Sequence, residues 1–116
     1  MLSQDKRLTR KADFDRVFAA GGAAHHELIS LRAAPNELAR VRVGIMCGKR
    51  VGGAVVRNRA RRRLREAVRS LLAKIAPGWD ILLVIRPPGA SATVAEFVYA
   101  LEELLRRRQL AGAREE

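Results

Sequence analysis

Residues 41–86 read VRVGIMCGKRVGGAVVRNRARRRLREAVRSLLAKIAPGWDILLVIR, and the order of patterns inside this stretch decides the architecture. At its start Val41, Val43, Ile45 and Cys47 alternate with Arg42, Gly44 and Met46. A period of two belongs to a strand with one buried face, so a strand is predicted over about 40–48. Gly52-Gly53 opens a loop, and Asn58 is a candidate N-cap. A helix is predicted from about 59 to 75, because Ala60, Leu64, Ala67, Val68, Leu71 and Ile75 recur at helical spacing. Pro77-Gly78 ends it. Residues 80–86, DILLVIR, are apolar nearly throughout, the pattern of a central strand covered on both faces.

The flanks extend this core. Upstream, a helix is predicted from near Thr9, with Thr9 as its cap and Leu8 as the outer half of a hydrophobic staple. Phe14, Val17 and Phe18 share one face of it, and Gly21-Gly22 stops it. A strand over about 27–33, ELISLRA, is expected to pair antiparallel with the 40–48 strand through the Pro35–Ala39 connection. Downstream, Pro87-Pro88-Gly89 closes the central strand. A last helix starts at Ser91 or Thr93, with Glu96 placed for a capping box and Val94, Phe97, Val98, Leu101, Leu104 and Leu105 as its buried face. The order is helix, strand, strand, helix, strand, helix: one α/β domain over 1–116, a sheet backed by helices, with frayed termini expected at 1–6 and 111–116.

Composition removes several functional classes. With 116 residues and 48% apolar content, the chain is the size of one domain with a real core. One cysteine, Cys47, allows no internal disulfide and no cysteine-based zinc site; its place among apolar strand residues makes it a core thiol. The longest apolar run, Ile81–Ile85, is far short of the ~20 residues of a membrane span. The N-terminus lacks the apolar centre of a signal peptide, so a cytoplasmic location is expected.

Charge is the outlier. The formal net charge is +11, which calls for a polyanionic partner. Residues 49–69 hold nine basic side chains (Lys49, Arg50, Arg57, Arg59, Arg61, Arg62, Arg63, Arg65 and Arg69) and one acid, Glu66, and so carry eight of the eleven net charges. A face serving solubility alone mixes in acids. A membrane-surface helix needs bulky apolar residues free to leave the core. All but one of the nine are arginines, whose guanidinium grips phosphate bidentately and stacks on bases. Nucleic acid is therefore the expected partner, and charge alone does not separate DNA from RNA. Catalytic groupings are weak. His25-His26 have no acid or nucleophile partner in sequence, Asp5, Asp13 and Asp15 match no tight metal site, and Gly52-Gly53 is no phosphate-binding loop. No side chain is expected to be catalytic.

Arg57-Asn58-Arg59, inside KRVGGAVVRNRARRRLREAVR, resembles the RNR signature of the bacterial ribonuclease P protein subunit. RLTRKADFDRVFAAG is similar to that family's opening segment, VRVGIMCGKRVGGAVVRNR to its strand, loop and helix entry, and WDILLVIRPPGA to its late strand. The resemblance spans about residues 6–108 in the right order. Two positions depart from the pattern: Gly53 stands where the family often has Asn, and Ser30 lies near a place where family members can carry an aromatic.

This resemblance implies a two-layer sandwich with a left-handed β-α-β crossover, like the second domain of ribosomal protein S5. It implies a ribonucleoprotein endonuclease that removes the 5′ leader from precursor tRNA, with catalysis by the RNA subunit and divalent magnesium. Lys49, Arg50, Arg57, Asn58, Arg59, Arg61, Arg62 and Arg65 would contact the catalytic RNA. Phe14, Phe18, Arg32 and Met46 would border a cleft for the leader, with at least one of the two phenylalanines mainly in the core. Membrane and DNA are not expected partners. The competing reading is a basic RNA-binding protein without a part in cleavage, such as a ribosomal protein. A DNA-binding regulator is disfavoured, because no two-helix unit places a recognition helix.

Overall fold

The apolar run at the end of the quoted stretch forms β4, Trp79–Ile85, the strand on which the molecule is assembled. A computed structural model describes residues 7–20 and 22–110; both segments expected to fray lie outside them. Around β4 the elements are α1 (Lys11–Ala19), β1 (Ala23–His25), β2 (Ile29–Pro35), β3 (Arg42–Cys47), α2 (Ala54–Leu71) and α3 (Val94–Arg107). The sheet order is β1-β2-β4-β3. β4 runs antiparallel to β2 and parallel to β3, with Leu83 opposite both Leu31 and Ile45.

The expected pairing of β2 with β3 is therefore wrong, because β4 lies between them. An almost wholly apolar strand loses most water in the centre of a sheet, and that outweighs the short connection. The connection crosses the start of β4 and is pinned there: Asn36 N donates to Gly78 O at 2.9 Å, and Gly78 N to Arg40 O at 3.0 Å. β1, three residues without alternation, was not expected and extends the sheet beyond β2.

Alternation along β4 divides the molecule. Ile81, Leu83 and Ile85 join the larger core with Leu64, Val68 and Leu71 of α2 and Phe97, Leu101 and Leu104 of α3. Each such side chain, fully buried, contributes about 1.5–3 kcal/mol. Leu82 and Val84 point the other way, into a smaller cluster with Leu8, Val17, Ala34 and Phe14. Thus α2 and α3 form one complete layer, while α1 crosses one end of the opposite face of the sheet.

Two helix starts differ from expectation. α1 is capped by Arg10 with no side-chain bond, not by Thr9. Leu8 is buried and gives its N–H to Val43 O at 3.0 Å, so the preceding segment is tied to the edge of β3 instead. α2 begins at Ala54, five residues before the expected start, with Gly53 as a backbone-only cap. Asn58 thus lies inside the helix and caps nothing. The helix ends at Leu71 and a 3-10 turn over Leu72–Lys74 carries the chain to buried Ile75. α3 starts as expected: Thr93 Oγ1 accepts from Glu96 N, and Glu96 Oε1 from Thr93 N.

Candidate nucleic-acid interface

The early start of α2 puts the whole arginine run on one rigid element. Lys49 and Arg50 are exposed in a 3-10 turn, Lys49–Val51, just before it. Gly52 makes the corner at φ 153°, where an added Cβ would sit 2.9 Å from Val56 Cγ1. From there Arg57, Arg61 and Arg65 recur every four residues, on the flank above the edge of β3. Burial pushes the Cys47 thiol, at the end of β3, above the ordinary cysteine value, and the charges of Arg61 and Arg57 pull partly back. Arg63 lies on the opposite flank and donates to Ala92 O at 3.2 Å, and Arg62 is exposed between the two.

These cations are left without counter-charges. Arg69 pairs with Glu66 at 2.6 Å, which neutralises the far end of the run. Among the described residues, Lys49, Arg50, Arg57, Arg59, Arg61, Arg62 and Arg65 make no ion pair with a carboxylate. Asn58 Oδ1 accepts from Arg61 Nη2 at 2.5 Å. The Nε atoms of Arg57 and Arg59 are buried without a hydrogen-bond partner. Such donors carry a desolvation cost of about 1–3 kcal/mol that an incoming phosphate oxygen removes.

The second surface is the face of the sheet that α1 covers only in part. Ser30, Val84 and Met46 stand in register across β2, β4 and β3, and next to them runs the row Arg32, Leu82 and Gly44. Met46 is 41% exposed. Phe18 is 40% exposed and lies under the Arg32 guanidinium, whose carbon is 5.1 Å from the ring centroid, a cation–π contact. Phe14 is half-buried and packs on the smaller core, so of the two phenylalanines it is the one held in the interior. Its ring lies on Gly44: an added Cβ there would be 2.6 Å from Phe14 Cε1.

α1 is held on this face by a buried charge. Asp80 has no exposed surface. Arg42 reaches it twice, at 2.8 and 2.7 Å, Asn36 once at 2.9 Å, and Arg16 of α1 closes the network.

Comparison with known proteins puts a family to this geometry. The family profile described as Ribonuclease P matches residues 2–109. The chain belongs to the ribonuclease P protein family. A ribonuclease P protein component from Dehalococcoides mccartyi is 40% identical over 109 residues, covering 94% of this chain and 89% of the relative. One from Roseiflexus castenholzii is 42% identical over 102 residues, covering 88% and 84%. The Staphylococcus aureus RNase P protein structure superposes with a TM-score of 0.82 at 27% identity, over 92% of this chain and 98% of that one. A ribonuclease P protein is a subunit of an endoribonuclease that trims the 5′ end of precursor tRNA, and it works with an RNA subunit.

The departures from the family pattern have simple settings. A side chain at Gly53 would meet open space, so packing does not require glycine there. Ser30 stands in the open row of the sheet, beside Val84 and opposite His25 of β1. The sequence reading missed Arg7 and the Asp80 network. Arg7 forms a parallel bridge with Val43, and its Nε is buried and unpartnered. The signal available for it was the same arginine enrichment that marked α2, but one arginine outside a run does not stand out. Among the described residues, no group of three or more His, Cys, Asp or Glu side chains could hold a metal ion, and no helix is long and apolar enough to cross a membrane.

Proposed function

We propose that Lys49, Arg50, Arg57, Asn58, Arg59, Arg61, Arg62 and Arg65 grip the backbone of the catalytic RNA. The face bearing Phe18, Arg32, Met46 and the edge of Phe14 receives the single-stranded 5′ leader of precursor tRNA. The observation that carries this reading is the set of α2 guanidiniums without carboxylate partners, beside a sheet face with an exposed aromatic. Phosphates satisfy the first, and a stacked base suits the second. The divalent magnesium of the reaction belongs to the RNA, since the donor set of this chain fits no such ion. Its partners are RNAs, not DNA or membrane, and its place is the cytoplasm.

The test uses holoenzyme reconstituted with the catalytic RNA at low magnesium. Phe18→Ala should weaken precursor-tRNA binding by about tenfold, the equivalent of ~1.4 kcal/mol, and leave mature tRNA binding unchanged. An unaltered ratio of the two affinities in the folded variant would remove the leader from this face.

A further inference from the structure

A cavity of about 260 Å³ opens at the edge of β3, where the arginine flank of α2 meets the sheet face under α1. Arg7 and Arg65 stand on its walls, Phe14 and Thr9 line it, and Gly44 is part of its floor. Its volume is just under the ~300–1,000 Å³ of small-molecule sites, which suits one nucleotide unit and no folded motif. Both cations are unpaired among the described residues, and Arg7 Nε has no acceptor at all. Burial, and then the charges of Arg7 and Arg61, hold the Arg65 guanidinium below the ordinary arginine value. Two arginines facing one cavity with no carboxylate repel each other, and an anion between them reverses the sign of the interaction. The π-system of Phe14 beside them is fixed by its seat on Gly44.

We infer that this cavity seats one nucleotide of single-stranded RNA, its phosphate between Arg7 and Arg65 and its base against Phe14 above Gly44. The inference rests on the reading that the leader lies on the sheet face. It adds Arg7 as a binding residue and Gly44 as a positioning residue. The phosphodiester could come from the leader or from the catalytic RNA. Phe14 and Gly44 lie on the leader's side of the sheet, which favours the leader.

A leader-length series distinguishes the sources. Reconstituted holoenzyme with Arg7→Gln is compared with wild type on precursor tRNAs whose leaders grow one nucleotide at a time. The backbone of Arg7, not its side chain, ties this segment to β3, so the variant keeps its anchor. The two enzymes should bind alike at short leaders and separate by about tenfold at a single added nucleotide, with protein affinity for the catalytic RNA within twofold. Gly44→Ala, which displaces the Phe14 ring, should separate from wild type at the same leader length; thermal unfolding confirms that each variant is folded. Divergence spread over several nucleotides would mean a diffuse field and no seat. A loss confined to catalytic-RNA affinity would assign the phosphate to the other RNA and overturn the inference. If Phe18→Ala narrows the precursor-to-mature gap and Arg7→Gln does not, the seat fails alone; if neither does, the leader reading fails with it.

Discussion

Asp80 exposes no surface, yet its carboxylate takes bonds from Arg42, Asn36 and Arg16, residues from β3, the loop before it and α1. Removing it would strand two buried-facing cations, so Asp80→Ala should cost about 3–5 kcal/mol in urea unfolding. Burial alone would raise its pKa, but the Arg42 and Asn36 hydrogen bonds and the Arg42 and Arg16 charges carry it below the ordinary aspartate value. Because the folded value lies below the unfolded one, the stabilisation is complete above about pH 4 and is lost as pH falls through the folded value. Wild type should therefore lose stability more steeply than Asp80→Asn on acidification below that point, and parallel acid limbs would count against the network. None of this was legible in sequence. An aspartate at the head of an apolar run reads as a strand end, and its partners are 38, 44 and 64 positions away. Phe18 and Met46, by contrast, were found as cleft candidates through the family resemblance, and the fold leaves both exposed.

At the scale of elements, the apolar stripe of α2 was plain, because Ala60, Leu64, Ala67, Val68 and Leu71 all face the core. Its start was hidden, because Gly53 caps it through backbone geometry alone and Val55-Val56 disguise the first turn. The two capping assignments can be tested side by side. Thr93→Ala removes an observed capping box and should cost about 1 kcal/mol. Asn58→Ala, inside an exposed helical turn, should change stability by less than ~0.5 kcal/mol, alanine being the better helix former. Equilibrium unfolding of the two variants reads both values, and a cost for Asn58→Ala equal to that for Thr93→Ala would move the helix start back to residue 59. The sheet order was illegible for a different reason. Periodicity reports which faces are buried but not which strands are neighbours, and the short Pro35–Ala39 connection pointed to the wrong pair.

For the whole molecule, eight of the eleven net charges lie within 49–69. Those on α2 are held on a rigid helix. If five to eight of them meet phosphates, log K for the catalytic RNA should fall against log salt with a slope of roughly −4 to −7. A filter-binding or fluorescence titration across salt measures it, and a slope shallower than about −2 would mean that α2 is not the principal contact.

The place of β4 also bears on how the chain comes into being. β2 and β3 are made first, yet each has β4 as a neighbour and neither pairs with the other. Until residues 79–85 emerge from the ribosome, an unfinished chain holds two strands with open edges and an arginine helix with no sheet to cover. Sheet closure must wait for the strand made last, so synthesis exposes this protein to mispairing late, when most of its length is already out.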